Sequence, residues 1–143
     1  MTPLDRQLGL RLLNLHQLIY ERSGGLIGHR LGHVKMLLLR TRGRKSGERR
    51  TAALLYLQDG GRYVVVGSQG GSDTPPAWVL NLEADPEVEV QVGTRAFAAR
   101  ARVASPAERR RLWPRFTSLW PDYQRYQSQT NHTIPLVILE PAG

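Results

Sequence analysis

Arg44, Lys45 and Ser46 lie between two glycines in the stretch RTRGRKSGERRT, Arg40 to Thr51. Flanking glycines let neighbouring backbone N–H groups converge on one point, and the guanidinium, ammonium and hydroxyl add charge-assisted donors around it. Such a group of donors holds an anion, a phosphate above all. The spacing is not that of a Walker A loop, and the stretch joins two strand-like segments, not a strand to a helix. On composition alone a solvated basic turn explains it better.

Two further stretches carry chemistry. In GSQGGSDTPPAW, Gly67 to Trp78, small residues leave a strand and precede a short helix. A flat ligand could approach such backbone closely, with the helix N-terminus offering partial positive charge. An ordinary surface loop, with Trp78 in the core, is the alternative. In LWPDYQRYQSQTNHTIP, Tyr123 and Tyr126 stand three apart and would share one face of a helix. Phenols on a pocket wall can stack on a ring and donate a proton; simple partial burial explains them equally well.

Other chemistries lack their residues. The chain has no cysteine, hence no disulfide, thiolate metal site or cysteine nucleophile. The four histidines, His16, His29, His33 and His132, are scattered, and no Gly-x-Ser-x-Gly elbow is present. His29 and His33 have the spacing of helical metal ligands, but no third ligand accompanies them and glycines surround them. Carboxylates are not clustered for a hard ion, so no metal is expected. The formal charge of +8 calls for an anionic partner without choosing among nucleic acid, lipid and a phosphorylated ligand.

The elements that must position these residues are legible as periodicity. The 143 residues, 41% hydrophobic and 22% charged, suit one folded domain. Leu4, Leu8, Leu12, Leu15 and Ile19 recur at helical spacing until Ser23-Gly24-Gly25, which predicts an N-terminal amphipathic helix, packed on the core or lying on a membrane surface. Residues 1–33 are this helix and its connection, and 34–143 the remainder of a single domain. Six strand-like runs follow: VKMLLLRT, RTAALLYL, RYVVVGS, VEVQV, RAFAARARV and IPLVILE. QDGGR and GT are tight-turn signals between them. PAWVLNLEADP reads as a short helix. In SPAERRRLWPRF, Ser105 is an N-cap, Pro106 suits the first helical position and Glu108 completes a capping box. The pattern is α+β, an antiparallel barrel of about six strands with peripheral helices. No run is long enough to cross a bilayer and no signal peptide is expected; a cytoplasmic location is expected, with peripheral contact on the inner face of the cell membrane if the first helix binds lipid.

Together, TRGRKSGERRTAALLYLQDGGRYVVVGSQGG, PAWVLNLEADPEVEVQV and WPDYQRYQSQTNHTIPLVILEP closely resemble the deazaflavin-dependent nitroreductase family of actinobacteria, over about Leu38 to Pro141. The resemblance implies a split β-barrel related to flavin-reductase barrels. It also implies coenzyme F420 (8-hydroxy-5-deazaflavin), whose reduced form gives hydride to a quinone or nitro-type acceptor. By the family pattern Arg44, Lys45 and Ser46 bind the cofactor phosphate with Arg50 near it. Gly67, Ser68, Gln69 and Gly70 pass beside the deazaflavin, and Ala77 and Trp78 complete the site. Tyr123 and Tyr126 fall on the substrate side, where either could orient the acceptor or donate a proton, and Ser68 could bind a substrate oxygen. Gln69 stands where a lysine is frequent in the family, Trp120 where the tyrosine cluster begins, and Leu55 where a pocket aromatic is frequent. Cofactor binding is thus expected to be kept and the acceptor pocket changed. A related barrel holding FMN by the same basic turn is the alternative, and a basic nucleic-acid binder a weaker one. Barrels of this type often pair as homodimers.

Overall fold

The structure, a computed structural model, describes residues 30–31, 34–68 and 72–142. The expected N-terminal helix, its membrane-facing reading, and Gln69 and Gly70 lie outside the described residues.

The chain runs β1 (Arg30–Leu31), β2 (Val34–Arg42), β3 (Arg49–Asp59), β4 (Arg62–Val66), α1 (Ala77–Ala84), β5 (Glu87–Val92), β6 (Arg95–Val103), α2 (Pro106–Leu119), α3 (Asp122–Ser128) and β7 (Leu136–Pro141). The six expected strands are present, and a two-residue strand, β1, pairs with β2 inside the stretch expected to be a loop. The sheet order is β1-β2-β3-β4-β7-β6-β5, every adjacent pair antiparallel. β5 returns to β2 with Leu39 opposite Val90, which closes six strands into a barrel.

Two apolar clusters explain the strand sequences. Leu37 and Leu39, Tyr63 and Val65, Val88 and Val90, Ala99 and Ala101, and Val137 and Leu139 fill the barrel interior, where Trp78, Val79 and Leu82 of α1 join them. On the outer face Met36, Leu38, Leu55, Val64, Val66, Leu136 and Ile138 meet Leu112 and Phe116 of α2. β2, β4 and β7 are therefore covered on both sides and read as unbroken apolar runs. β6 alternates because its outward residues, such as Arg100 and Arg102, are exposed.

α2 starts as its sequence predicts. Ser105 Oγ accepts the Glu108 N–H at 3.2 Å and the Glu108 carboxylate accepts the Ser105 N–H at 2.9 Å. The helix continues through Pro114 to Leu119, three residues past Phe116. An ion-pair network fixes it to the barrel. Asp59 bonds Arg111 at 2.8 and 2.9 Å and Arg62 at 2.7 Å; Arg62 reaches Glu108 at 3.1 Å. Glu108 takes Arg102 in a fork at 2.8 and 3.0 Å, and Arg102 reaches Glu140 at 2.6 Å.

Hydrogen bonds from Arg111 hold the Asp59 carboxyl down at about 2, and those from Arg102 with the Ser105 N–H hold Glu108 well below the carboxylate range. Both pKa values are depressed by folding, so their stabilisation is complete above the unfolded value near 4 and is lost as pH falls toward 2. Glu108→Gln keeps a capping-box side chain but removes the charge. It should cost about 1–2 kcal/mol at pH 7 and flatten the fall in stability between about pH 5 and 2. Urea unfolding at a series of pH values checks both.

Candidate cofactor and acceptor site

The basic turn caps the β2–β3 hairpin. Arg42 is the last residue paired on β2, opposite Arg49. The Gly43 N–H donates to Glu48 O at 2.7 Å and the Gly47 N–H to Gly43 O at 2.8 Å. Gly47 has φ +73°, a backbone that an L side chain resists. Ser46 Oγ accepts the Glu48 N–H at 3.1 Å.

The turn is anchored from below by a residue the motif reading passed over. Asn81, on α1 and 2% exposed, accepts the Arg44 backbone N–H and Arg44 Nη1 through Oδ1, each at 3.2 Å. Its Nδ2 donates to Thr41 Oγ1 at 3.1 Å, and Thr41 is also 2% exposed. The one signal in the sequence was an amide among apolar residues in VLNL.

Electrostatics single out the middle of the turn. Glu48 faces Arg50 at 3.4 Å, Asp85 faces Arg42 at 4.0 Å, and Glu89 pairs with Arg49 and faces Arg40 at 3.8 Å. Among the described residues no carboxylate pairs with Arg44 or Lys45, and the backbone N–H groups of Lys45 and Ser46 donate to no acceptor. Arg44 and Lys45, both exposed, and the Lys45 and Ser46 amides can all donate to one anion, so the residues present fit a phosphate. Arg40 differs from the solvated charge its sequence position suggests: its side chain is 15% exposed and donates to Gln91 Oε1 at 2.9 Å.

Gly67 leaves β4 through a crowded place. Its N–H donates to Pro135 O at 2.8 Å, and a Cβ there would lie 2.9 Å from Pro135 Cγ, 3.0 Å from Val79 Cγ2 and 3.3 Å from Pro135 O. Close packing of α1 and the strand lead-in demands the glycine. Gly67→Ala should therefore destabilise by about 1–3 kcal/mol, a cost typical of overpacking; the urea midpoint against wild type measures it. Ser68 follows, half-buried. Ala77 is exposed at the start of α1, whereas Trp78 is 8% exposed in the barrel interior.

The expected aromatic pair packs against the outer core. Tyr123 and Tyr126 sit on α3 with ring centroids 6.0 Å apart, and Tyr123 lies 6.1 Å from Phe116 and 6.3 Å from Trp113. Leu55 joins them in the same outer cluster. Trp120, at the end of α2, is 40% exposed. Burial, and to a lesser degree Tyr126, push the Tyr123 phenol above its ordinary range. It stays an O–H donor and can hydrogen-bond a carbonyl oxygen. Arg109 spans the same region, its guanidinium 4.4 Å above the Trp113 ring and its Nη2 donating to Gln127 Oε1 at 3.1 Å.

A closed split barrel with an exposed basic turn over one helix and a tyrosine-bearing helix beside the barrel suits an oxidoreductase whose chemistry is supplied by a phosphorylated cofactor. The chain belongs to the F420H(2)-dependent quinone reductase family, whose pattern matches residues 12–141. It is 39% identical over 145 residues to an F420H(2)-dependent quinone reductase of Mycobacterium tuberculosis, covering 95% of this chain and 94% of that one. Among solved structures, an F420-H2 dependent reductase (FDR-A) aligns with TM-score 0.67 at 35% identity, over 73% of this chain and 93% of its own. A chain described as a domain-swapped dimer aligns with TM-score 0.71 at 30% identity, over 92% and 99%. Among the described residues no helix is long and apolar enough to cross a membrane.

Proposed function

We propose that this protein binds F420H2 through the Arg44–Lys45–Ser46 turn and reduces a quinone held against α3. The observation that carries the reading is the turn itself: two cations that no described carboxylate pairs with, the first of them, Arg44, held by a buried asparagine, in a chain of the F420H(2)-dependent quinone reductase family. When bound, the reduced deazaflavin supplies a hydride. The protein's own residues bind, orient and shield. Arg44, Lys45 and Ser46 hold the phosphate, with Arg50 close enough to add charge. Gly67 and Ser68 present the strand end to the ring, Gln69 and Gly70 are assigned to the ring by the family pattern alone, and Ala77 completes the site. Trp78 supports the site from the barrel interior. Tyr123 and Tyr126 donate hydrogen bonds that orient the acceptor carbonyl, and Leu55 and Trp120 shape its pocket. A nitro-type acceptor would be polarised by the same phenols.

A domain-swapped neighbour supports a dimer. The leucine-rich first segment supports peripheral contact with the membrane surface, where an apolar quinone would partition. Titration of the purified protein with oxidised F420, followed by fluorescence, tests the cofactor assignment. Saturable quenching at low salt is expected. Co-purified yellow flavin with no response to F420 would replace the reading with FMN binding.

A further inference from the structure

The loop that leaves β4 and the helix that carries the tyrosines are joined by one short segment, residues 130–135. Gly67, at the start of the loop, donates to Pro135 O at 2.8 Å. Asp73, six residues on, accepts from Thr130 Oγ1 at 2.8 Å and from the Asn131 N–H at 3.3 Å. Gly67 and Asp73 are therefore both tied to the same segment. On the helix side, Gln127, next to Tyr126, donates from Nε2 to His132 O at 2.8 Å and accepts the Ile134 N–H at Oε1 at 2.8 Å. Arg109 braces this corner, donating to Ile134 O at 3.2 Å and to Gln127 Oε1 at 3.1 Å.

Proton counting orders the outer pin. An ionised Asp73 only accepts, so the single Thr130 hydroxyl proton is directed to it. The contact of 2.7 Å between Thr130 Oγ1 and His132 Nδ1 is then donated by His132, which fixes its Nδ1–H form. Thr130 is the one side chain that serves both bonds. Removing its hydroxyl uncouples Asp73 from His132 while leaving Gln127 and Arg109 in place.

We propose that Asp73 and Thr130 are positioning residues that latch the cofactor-side loop to the tyrosine helix, so that F420 and the quinone tighten each other's binding. The latch rests on the cofactor and acceptor assignments made above. Neither residue touches the reacting atoms. Their effect is on the free energy that links two sites, and linkage requires it to be equal in both directions.

Oxidised F420 and menadione do not react with each other, so both can be bound at once and measured by calorimetric titration. In the wild type, saturating menadione should tighten F420 about fivefold or more, and F420 should tighten menadione by the same factor. Asp73→Ala should bring both ratios to near one and Thr130→Val, which leaves the Asn131 N–H on Asp73, should lower both by at least half, with F420 affinity in the absence of menadione unchanged within about twofold. Thr130→Ser, which restores the hydroxyl, should restore the coupling and controls for loss of fold. A merely structural role would lower the melting temperature and leave the ratios alone. F420 binding with no coupling in the wild type, or coupling that survives in both variants, overturns the latch alone. Failure of the wild type to bind F420 overturns the cofactor assignment along with it.

Discussion

Replacing Arg44 and Lys45 together by alanine should weaken F420 binding by about 100- to 1,000-fold. A hydrogen bond to a charged group contributes about 1.5–3 kcal/mol, or roughly a factor of ten to a hundred, and the two side chains contribute partly overlapping shares. Their position favours a large effect, because among the described residues no carboxylate pairs with either cation. The wild-type interaction should weaken as salt rises, and the double variant should lose most of that dependence. At saturating cofactor the turnover of a quinone should stay within about twofold, since the role proposed for the turn is to hold the cofactor phosphate and not the reacting ring. Fluorescence titration at two salt concentrations, with turnover at saturation, separates these outcomes. The arginines at the edges give the contrast. Arg42 is exposed and near Asp85, so Arg42→Ala should change affinity by less than about threefold.

Asn81→Ala should cost about 2–4 kcal/mol of stability and about a factor of ten in F420 affinity. One buried amide satisfies the Thr41 hydroxyl and both the backbone and side chain of Arg44. Truncation leaves the Thr41 hydroxyl unpaired at 2% exposure and releases the turn from α1. Asn81→Asp distinguishes the two effects. The carboxylate can still accept from Arg44 and from the Thr41 hydroxyl, so much of the stability should remain. Its negative charge beside the proposed phosphate site should still weaken cofactor binding. Urea unfolding and cofactor titration on the same preparations measure both quantities.

Local features were legible because they depend on neighbours in the chain. Asp59-Gly60-Gly61-Arg62 makes the expected two-residue turn, with Asp59 opposite Arg62. Ser105 and Glu108 make the capping box, and Tyr123 and Tyr126 meet at the spacing of one helical turn. The apolar runs of β2, β4 and β7 read as strands, and the fold covers those strands on both faces. Barrel closure through Leu39 and Val90 was not written in either strand, because pairing across 51 residues depends on the whole sheet. The same holds for side chains whose partners are distant in sequence. Arg111 reaches Asp59 across 52 residues, Thr130 reaches Asp73 across 57, and Asn81 reaches Thr41 across 40. An asparagine between leucines marks an anomaly but does not name its partner. Arg40 shows the reverse error: a charge in a basic run suggested solvent, whereas the fold lays it against Gln91 and Glu89.

The proposed function requires hydride to pass from F420H2 to a quinone on this protein. An anaerobic single-turnover measurement tests it, with protein preloaded with F420H2 mixed rapidly against menadione while the absorbance of oxidised F420 is followed. The expected result is one equivalent of F420 and one of hydroquinone per bound cofactor, at a rate that saturates with menadione and far exceeds the protein-free control. Bound F420H2 that is oxidised no faster than in free solution, or menadione reduction supported by reduced FMN and not by F420H2, would contradict it.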